Sequence, residues 1–345
     1  MNEIAEFCKN IKQNYKPYKI DFTKPVSTWS EKDLLNGKVT DTFVIILKTK
    51  GCSWAFESGC SMCGYFNDSA WRDISEKDLL LQFEKAMKNY KGELFVKIFT
   101  SGSFLDDEEI PKPVRKKILK KLYETAEKVS VESRPEYITN KKISEIKELY
   151  KNKTFEIGVG LETADDKIRE EIINKGFTFK DYKKAAEIMK KNNIKLKTYV
   201  LIKPPFLSEK QAIEDALKTV EKIKNITDIV SFNPVNVQRN TLVNYLWKRK
   251  MYRPPWLFSI VEILKKSKKT AKNVRIKCDV TGGGKPRGAH NCRECDKQFL
   301  KAISDFSLTQ DIKLFKKLDC NCRDKWLDQL DIEEFGFGSL VNMYR

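Results

Sequence analysis

The sequence predicts an α/β protein built on a parallel sheet of six successive strand–helix units. Three observations carry this expectation. Short apolar runs rich in Val, Ile and Phe recur at residues 42–47, 94–100, 129–132, 155–161, 195–202 and 229–232, as strands buried on both faces require. Amphipathic stretches lie between them. Leu79, Leu80, Phe83, Ala86, Met87 and Tyr90 form one apolar stripe at helical spacing, Ile143, Ile146 and Leu149 a second, and Ala216, Val220 and Ile223 a third. The connections are short, so each helix returns the chain to start a parallel neighbour. Six such units make either an open doubly wound sheet or an incomplete barrel, and in both, chemistry gathers at the carboxyl ends of the strands.

The first apolar run leads directly into Cys52, Cys60 and Cys63, three cysteines within twelve residues. Iron–sulfur clusters are usually held by four thiolates. Three therefore imply either a distant fourth ligand or an iron left open to a small molecule. Gly59, just before Cys60, supplies the freedom a backbone needs to wrap a compact cofactor. Spacing alone also admits a partial zinc knuckle or inert buried thiols. The placement at a strand's carboxyl end favours a working cluster.

A chain of 345 residues exceeds one typical domain and suggests a large domain plus a smaller one. Lys and Arg number 66 against 48 Asp and Glu, a net charge of +18. That balance suits a polyanionic partner, nucleic acid first of all, although lysine faces such as Lys116, Lys117, Lys120 and Lys121 can also be merely solvated. No apolar run reaches membrane-spanning length, and residues 1–9 lack a signal-peptide core. The expectation is a cytoplasmic protein, with no membrane partner and with reduced thiols. Nine cysteines then read as metal ligands and not as a disulfide frame, with Cys8 set apart as structural. The single histidine, His290, leaves histidine-dependent acid–base chemistry almost no raw material.

Composition shifts near Lys272, which divides the chain into an N-terminal extension (1–39), a core (40–270) and a cysteine-rich tail (271–345). In the tail, Cys292 and Cys295 form one close pair and Cys320 and Cys322 another. Two thiolate pairs closing a loop point to a tetrahedral structural zinc site, with Cys278 and His290 as reserve ligands. A second iron–sulfur cluster is the rival. The glycine-rich run 281–288 lacks the Walker spacing and is no phosphate loop. It reads as a basic loop touching RNA phosphates or as a plain connection. The stiff turn Tyr252-Arg253-Pro254-Pro255-Trp256 offers either a base-stacking surface or core packing.

The first strand, the cysteine loop and the six units together resemble the radical S-adenosylmethionine superfamily. In that family three cysteines bind a 4Fe–4S cluster, and the amino and carboxylate groups of S-adenosylmethionine take the fourth iron. The motif's gaps here are seven residues and then two, similar to the long first gap of the Elongator-catalytic-subunit-like branch. Met62 stands where an aromatic usually precedes the third cysteine, and Tyr65 and Phe66 follow it. Thr100-Ser101-Gly102-Ser103-Phe104 resembles the turn that meets the methionyl amino group. Val131-Glu132-Ser133-Arg134-Pro135-Glu136 and Gly158-Val159-Gly160-Leu161-Glu162-Thr163 resemble the branch's third and fourth strand ends.

The resemblance implies a partial (β/α)6 barrel of the TIM type with a small C-terminal metal-binding extension. It implies a 4Fe–4S cluster on Cys52, Cys60 and Cys63. It also implies S-adenosylmethionine held by Tyr65, Ser101, Gly102, Ser103, Glu132, Arg134 and Glu162. Glu132, Glu162 and Asp106 are acid–base candidates by position only, and Lys203 faces the cofactor carboxylate, an anionic substrate or solvent. The tail segments CDVTGGGKPRGAHNCREC and CNCRDKW, following such a core, are similar to the radical subunits of archaeosine synthase, and the resemblance runs from about Trp29 to Trp326.

That family implies a specific reaction and specific partners. A partner subunit attaches lysine to the nitrile of a 7-cyano-7-deazaguanine at position 15 of tRNA, and the radical subunit cleaves the lysine carbon–nitrogen bond to leave archaeosine. tRNA, the lysine-transferring subunit and an external electron donor are the expected partners. Two alternatives remain at this stage. One is another Elongator-like tRNA-modifying enzyme, although the tail is expected to be too short for an acetyltransferase domain and no second cysteine triad for methylthio transfer is visible. The other is a non-catalytic RNA-binding protein stabilised by metals, which requires four protein ligands to each metal.

Overall fold

The computed structural model describes residues 3–15 and 21–333. Residues 1–2 and 16–20 of the N-terminal extension and 334–345 of the tail lie outside the described residues. Helix α1 (Glu3–Gln13) is followed by a hairpin of β1 (Ser27–Leu35) and β2 (Lys38–Ile46), antiparallel over nine residue pairs. Its two-residue turn is Asn36-Gly37, both with positive φ, the Asn-Gly turn that matches the twist of two paired strands. The short helix α2 (Ser53–Glu57) and α3 (Glu76–Met87) then lead to β3 (Phe95–Phe99). From there strands and helices alternate: α4 (Lys112–Thr125), β4 (Lys128–Glu132), α5 (Asn140–Leu149), β5 (Thr154–Glu162), α6 (Phe179–Lys191), β6 (Lys195–Ile202), α7 (Glu209–Ile223) and β7 (Ile229–Pro234). Helices α8 (Leu242–Lys248) and α9 (Leu257–Thr270), strand β8 (Arg275–Cys278), α10 (Asp296–Thr309) and α11 (Arg323–Ile332) complete the order.

The sheet runs β1-β2-β3-β4-β5-β6-β7-β8, parallel throughout except for the first pair. The six apolar runs of the sequence are β2 to β7. Two further strands lie outside them, β1 on one edge and the four-residue β8 on the other. The first division expected from sequence, at residue 39, falls inside the β1–β2 hairpin.

Outward-facing residues such as Val96, Ile98, Val129, Val131, Ile157, Val159 and Val200 are fully buried against the helix layer. The expected helical stripes supply the other side: Leu79, Phe83 and Ala86 on α3, Ile143 and Ile146 on α5, Ala216, Val220 and Ile223 on α7. Side-chain caps start several of these helices. Thr178 and Ser208 form full capping boxes with Asp181 and Gln211, satisfying backbone donors at the helix start.

The inward face is charged at its floor. Glu156 of β5 pairs with Lys128 at 2.6 Å and Lys197 at 3.2 Å. Asp33 of β1 pairs with Lys97 of β3, with Arg275 at 2.7 Å and with Lys277 at 3.0 Å. Arg275 and Lys277 belong to β8, so side chains of the first and last strands meet. The sheet is thus curled into a partial barrel, as expected, and its gap is bridged by ions where backbone pairing stops.

Lys203 behaves differently from each of the three roles considered for it. It is fully buried and pairs at 2.6 Å with Glu209 at the start of α7, itself fully buried. Glu209 also accepts from the Trp256 backbone N–H and the Ser259 hydroxyl. The carboxylate thus has a buried hydrogen-bond partner for each oxygen, the condition for keeping an ion pair inside a protein. The turn 252–256 is core: Tyr252 and Trp256 are buried, with the phenol donating to the Lys203 carbonyl and the indole N–H to Gln329.

Candidate cluster site and four-thiol metal site

The loop after β2 carries the three cysteines and is fastened on every side. The Trp54 indole donates to the Asn174 carbonyl at 2.7 Å, and the Asn174 amide donates to the Ser58 hydroxyl and the Gly59 carbonyl. The Ser61 N–H donates to the Ile173 carbonyl, and Gln238, beyond β7, accepts from the Gly64 N–H. Helix α1 closes over the loop. Its Lys12 ammonium is buried, donates to the Ser58 and Cys60 carbonyls, and has no carboxylate partner among the described residues. Gly59 has φ +83, a conformation that demands glycine, and a Cβ there would have to displace the end of the Lys12 side chain.

Burial pushes the Cys52 thiol up to about 12 and the Cys63 thiol up to about 11. Cys60 raises both further, while Arg134 acts against the rise at Cys52, and Lys175 and Lys12 against it at Cys63. Cys8 on α1 lies close enough to be affected by the same groups. Burial drives its thiol to about 11, opposed by Lys12 and reinforced by Cys60. Three neighbouring thiols in a buried loop, facing cations and hard to ionise alone, are a donor set that a cationic iron–sulfur core fits.

The carboxyl ends of β3 to β5 stack beside this loop. A Cβ on Gly102 would lie 2.6 Å from the Cys52 Cα, so the turn after β3 and the cysteine loop touch only because residue 102 is glycine. The Ser101 hydroxyl donates to the Tyr65 carbonyl at 3.3 Å, and the Ser103 hydroxyl accepts from the Arg134 N–H at 3.0 Å. Behind them Glu109 accepts from the Thr49 hydroxyl and the Ser103 N–H, and burial pushes its carboxyl up to about 7. Arg134 is already engaged: it pairs with Glu136, donates to the Lys175 carbonyl at 2.9 Å and faces Trp54 and Phe177.

Glu162 ends β5 in the left-handed region, φ 67, where the register shifts. A non-glycine residue held there marks backbone strain at a site. Its carboxylate pairs with Lys175 at 2.6 Å, and that pairing, opposing burial, holds the Lys175 ammonium above its ordinary value. Gly158 and Gly160 leave room for what faces them: a Cβ on the first would meet Tyr199, and on the second Glu162 and Lys175. Burial raises the Glu132 carboxyl against the opposing pull of Lys197 and a hydrogen bond from Tyr199. Tyr65 overhangs the open mouth, 59% exposed. Its phenol is nevertheless crowded by Cys63, Glu132 and Asp279, and is held above its ordinary value first by desolvation.

Cys52, Cys60, Cys63, Tyr65, Ser101, Gly102, Ser103, Glu132, Arg134 and Glu162 therefore gather at one end of the barrel. Asp106 is 3% exposed, with one oxygen capping the Glu108 N–H, and its carboxylate lies beside the Tyr137 phenol, whose ionisation it opposes. Sequence reasoning did not single out Lys12, Glu109, Lys175, Lys197, Tyr199, Gln238 or Asp279. Only Tyr199 and Lys197 carried a signal, as alternate residues on one face of a strand.

The second centre is compact. The Cys292 sulfur lies 3.7 Å from that of Cys295 and 3.6 Å from that of Cys320, and Cys295 lies 3.8 Å from Cys322. All four sulfurs fall within 4.8 Å of one another. Bonds of ~2.3 Å to one tetrahedral ion give sulfur separations of about 3.8 Å, whereas a four-iron cluster places each thiolate on a different iron and spreads them further. The geometry thus suits a single ion. Cys278 lies outside the set, its N–H bonded to the Ser307 hydroxyl. His290 also lies outside it, with its ring against the Gly288 carbonyl.

Cys295 and Cys322 are the residues that begin α10 and α11, so an ion there staples two helix starts. Removing it with a strong chelator is expected to lower the melting temperature by ~10 °C or more. Metal analysis alongside thermal unfolding checks this, and a Cys278→Ser control keeps its metal. An unchanged melting curve after complete metal loss would refute the staple.

No described helix is long and apolar enough to cross a membrane. Residues 46–220 match the Radical SAM superfamily. The archaeosine synthase subunit beta of Methanosarcina acetivorans is 43% identical over 96% of this chain and 97% of its own length. That of Thermococcus kodakarensis is 40% identical over 86% of this chain and 94% of its own. A solved archaeal Elp3 from Methanocaldococcus infernus, lacking its N-terminus, aligns with 69% of this chain and 58% of its own at 20% identity and a TM-score of 0.48. On the family match and these identities, the chain belongs to the radical SAM superfamily, and within it to the family of the archaeosine synthase beta subunits.

Proposed function

We propose that this chain performs the radical step of archaeosine formation, cleaving the lysine carbon–nitrogen bond of a lysine-adducted 7-cyano-7-deazaguanine at position 15 of tRNA. The observation that carries this reading is the 43% identity, across nearly the whole of both chains, to a protein named archaeosine synthase subunit beta. Cys52, Cys60 and Cys63 would hold a 4Fe–4S cluster. Tyr65, Ser101, Gly102, Ser103, Glu132, Arg134 and Glu162 would shape the S-adenosylmethionine site. Cluster and S-adenosylmethionine, when bound, would supply a 5′-deoxyadenosyl radical as the hydrogen acceptor for the lysine carbon beside the amidine nitrogen.

The residues divide the remaining work. Gly102 lets the turn after β3 lie against Cys52, so the cofactor's amino acid end can approach backbone groups there. Ser103 and Arg134, already bonded to each other, set the height of that turn. Glu132 and Asp279 face the mouth as acceptors for an ammonium group, and Lys175, held by Glu162, is the cation beside them for a carboxylate. The free end of a lysine adduct carries one of each. The lids formed by α1 and the cysteine loop exclude water from a reactive radical. The four-thiol ion is proposed to be zinc with a structural role. An external one-electron donor and the lysine-transferring subunit complete the system, and the net charge of +18 supports binding of tRNA phosphates.

The test is anaerobic reconstitution followed by incubation with S-adenosylmethionine, reductant and tRNA bearing the lysine adduct, with 5′-deoxyadenosine and archaeosine quantified by mass spectrometry. Both products are expected together. Deoxyadenosine without archaeosine would retain the radical chemistry and point to another tRNA modification. Neither product from cluster-loaded protein would leave the metal-stabilised RNA-binding reading.

A further inference from the structure

A 760 Å³ cavity opens beside the four-thiol site, between the end of α8, the loop before α10 and the start of α11. Five cations line it, Lys248, Lys250, Arg253, Arg293 and Lys325, and no carboxylate does. None of the five forms an ion pair within 4.0 Å among the described residues, unlike Lys112, which pairs with Glu145, and Lys195, which pairs with Asp228. Arg253 is 7% exposed and its guanidinium donates to the Pro254 and His290 carbonyls, with Glu209, Asp296 and Glu333 close enough to favour its charge but none in direct contact. Its desolvation lowers it to about 10, short of losing the proton near neutrality. Like charges gathered in a concave surface repel one another, and a bound polyanion relieves that repulsion.

The cavity is joined to the cluster mouth by a single short helix. At the start of α8 the chain touches the cysteine loop: the Val243 N–H faces the Ser61 carbonyl at 3.4 Å and the Asn67 amide donates to the Arg239 carbonyl at 3.0 Å. At its end Trp247 lines the cavity, its indole N–H donating to the Pro286 carbonyl at 3.2 Å. Seven helical residues span about 10 Å. A strand whose modified nucleotide enters the mouth can therefore lay its neighbouring phosphates in the cavity. A lone phosphate would need fewer cations and no such continuity with the mouth.

We propose that this cavity is the docking surface for the RNA backbone flanking the target nucleotide. Lys248, Lys250 and Lys325 contact phosphates, and Arg253 supplies fixed charge from beneath. This inference rests on tRNA being the substrate. The metal then acquires a second consequence, because it positions Cys322 and with it Lys325, three residues along α11.

The test compares two triple variants of the full chain, Lys248→Gln/Lys250→Gln/Lys325→Gln and, on α4 away from the cavity, Lys116→Gln/Lys117→Gln/Lys120→Gln. tRNA affinity is measured by anisotropy as a function of salt, with metal content and thermal unfolding confirming the fold of each. The cavity variant is expected to bind at least ~10-fold more weakly at moderate salt, with the slope of log K against log salt reduced by about 2–3. The α4 variant keeps the wild-type slope. Equal slopes for both variants, in a protein whose wild type still forms archaeosine, overturn the docking surface and leave the proposed function standing. A wild type that neither binds nor modifies tRNA overturns the proposed function and this inference together.

Discussion

Cys60→Ala lowers formation of 5′-deoxyadenosine and archaeosine by a thousandfold or more, a loss of about 4 kcal/mol in barrier reduction, with iron and sulfide content falling in parallel. The reason is chemical: the Cys60 thiol lies close enough to those of Cys52 and Cys63 to raise both, and its loss removes one of the three ligands proposed for the cluster. Cys52→Ala and Cys63→Ala behave alike. The informative comparison is Cys8→Ala. Cys8 lies near Cys60 yet comes from α1, and in a cluster with three protein ligands its loss leaves iron content and turnover within about twofold of wild type. Should Cys8→Ala also empty the site, the cluster has four protein thiolates. No iron would then be open to S-adenosylmethionine, and the radical reading fails.

Asp33→Ala is expected to destabilise the protein by about 3–5 kcal/mol, because removing one partner leaves buried charges uncompensated. Asp33 is 3% exposed and pairs with Lys97, Arg275 and Lys277, linking β1 to β8 across the gap. Burial by itself would raise its carboxyl, but Lys277, Lys97 and Arg275 outweigh that and hold it well below the ordinary carboxylate range. The sign for pH follows. A depressed folded value contributes stability that is fully present above the unfolded value, about 3.9, and is lost as pH falls through the folded value. Glu156, depressed by Lys197 and Lys128 against burial, adds to the same acid sensitivity. Denaturant titrations at neutral pH measure the loss. A variant within ~0.5 kcal/mol of wild type would show that the ion bridge does not hold the barrel's ends together.

Much of the architecture was legible because it is local. Apolar strands and helical stripes follow from periodicities of two and 3.6 residues, and the six runs appear as β2 to β7. The first strand escaped because its outer residues, Ser27 to Lys32, are largely exposed and polar, which hides the alternation of a half-buried edge. The Asn36-Gly37 turn was the signal that reveals it. Strand β8 has only four residues, too few for any period to register. The thiol pairs were also legible, since ligands two or three residues apart in sequence reach one ion together. Which of Cys278 and His290 would join them was not, and neither lies in the set.

By itself, the sequence determined the parallel α/β architecture, the three-cysteine loop at a strand's carboxyl end and the two thiolate pairs of the tail. These are features whose partners lie within a turn or a loop of one another. The tertiary structure alone decided where each charge goes. Lys203 turns to Glu209 inside the protein, Asp33 reaches Arg275, 242 residues away in the chain, Lys12 meets the carbonyls of the cysteine loop, and five cations share a cavity lined by no carboxylate. Pairing of charges over such separations depends on which strand ends and helix starts the fold brings together. A strand or helix period carries no record of it.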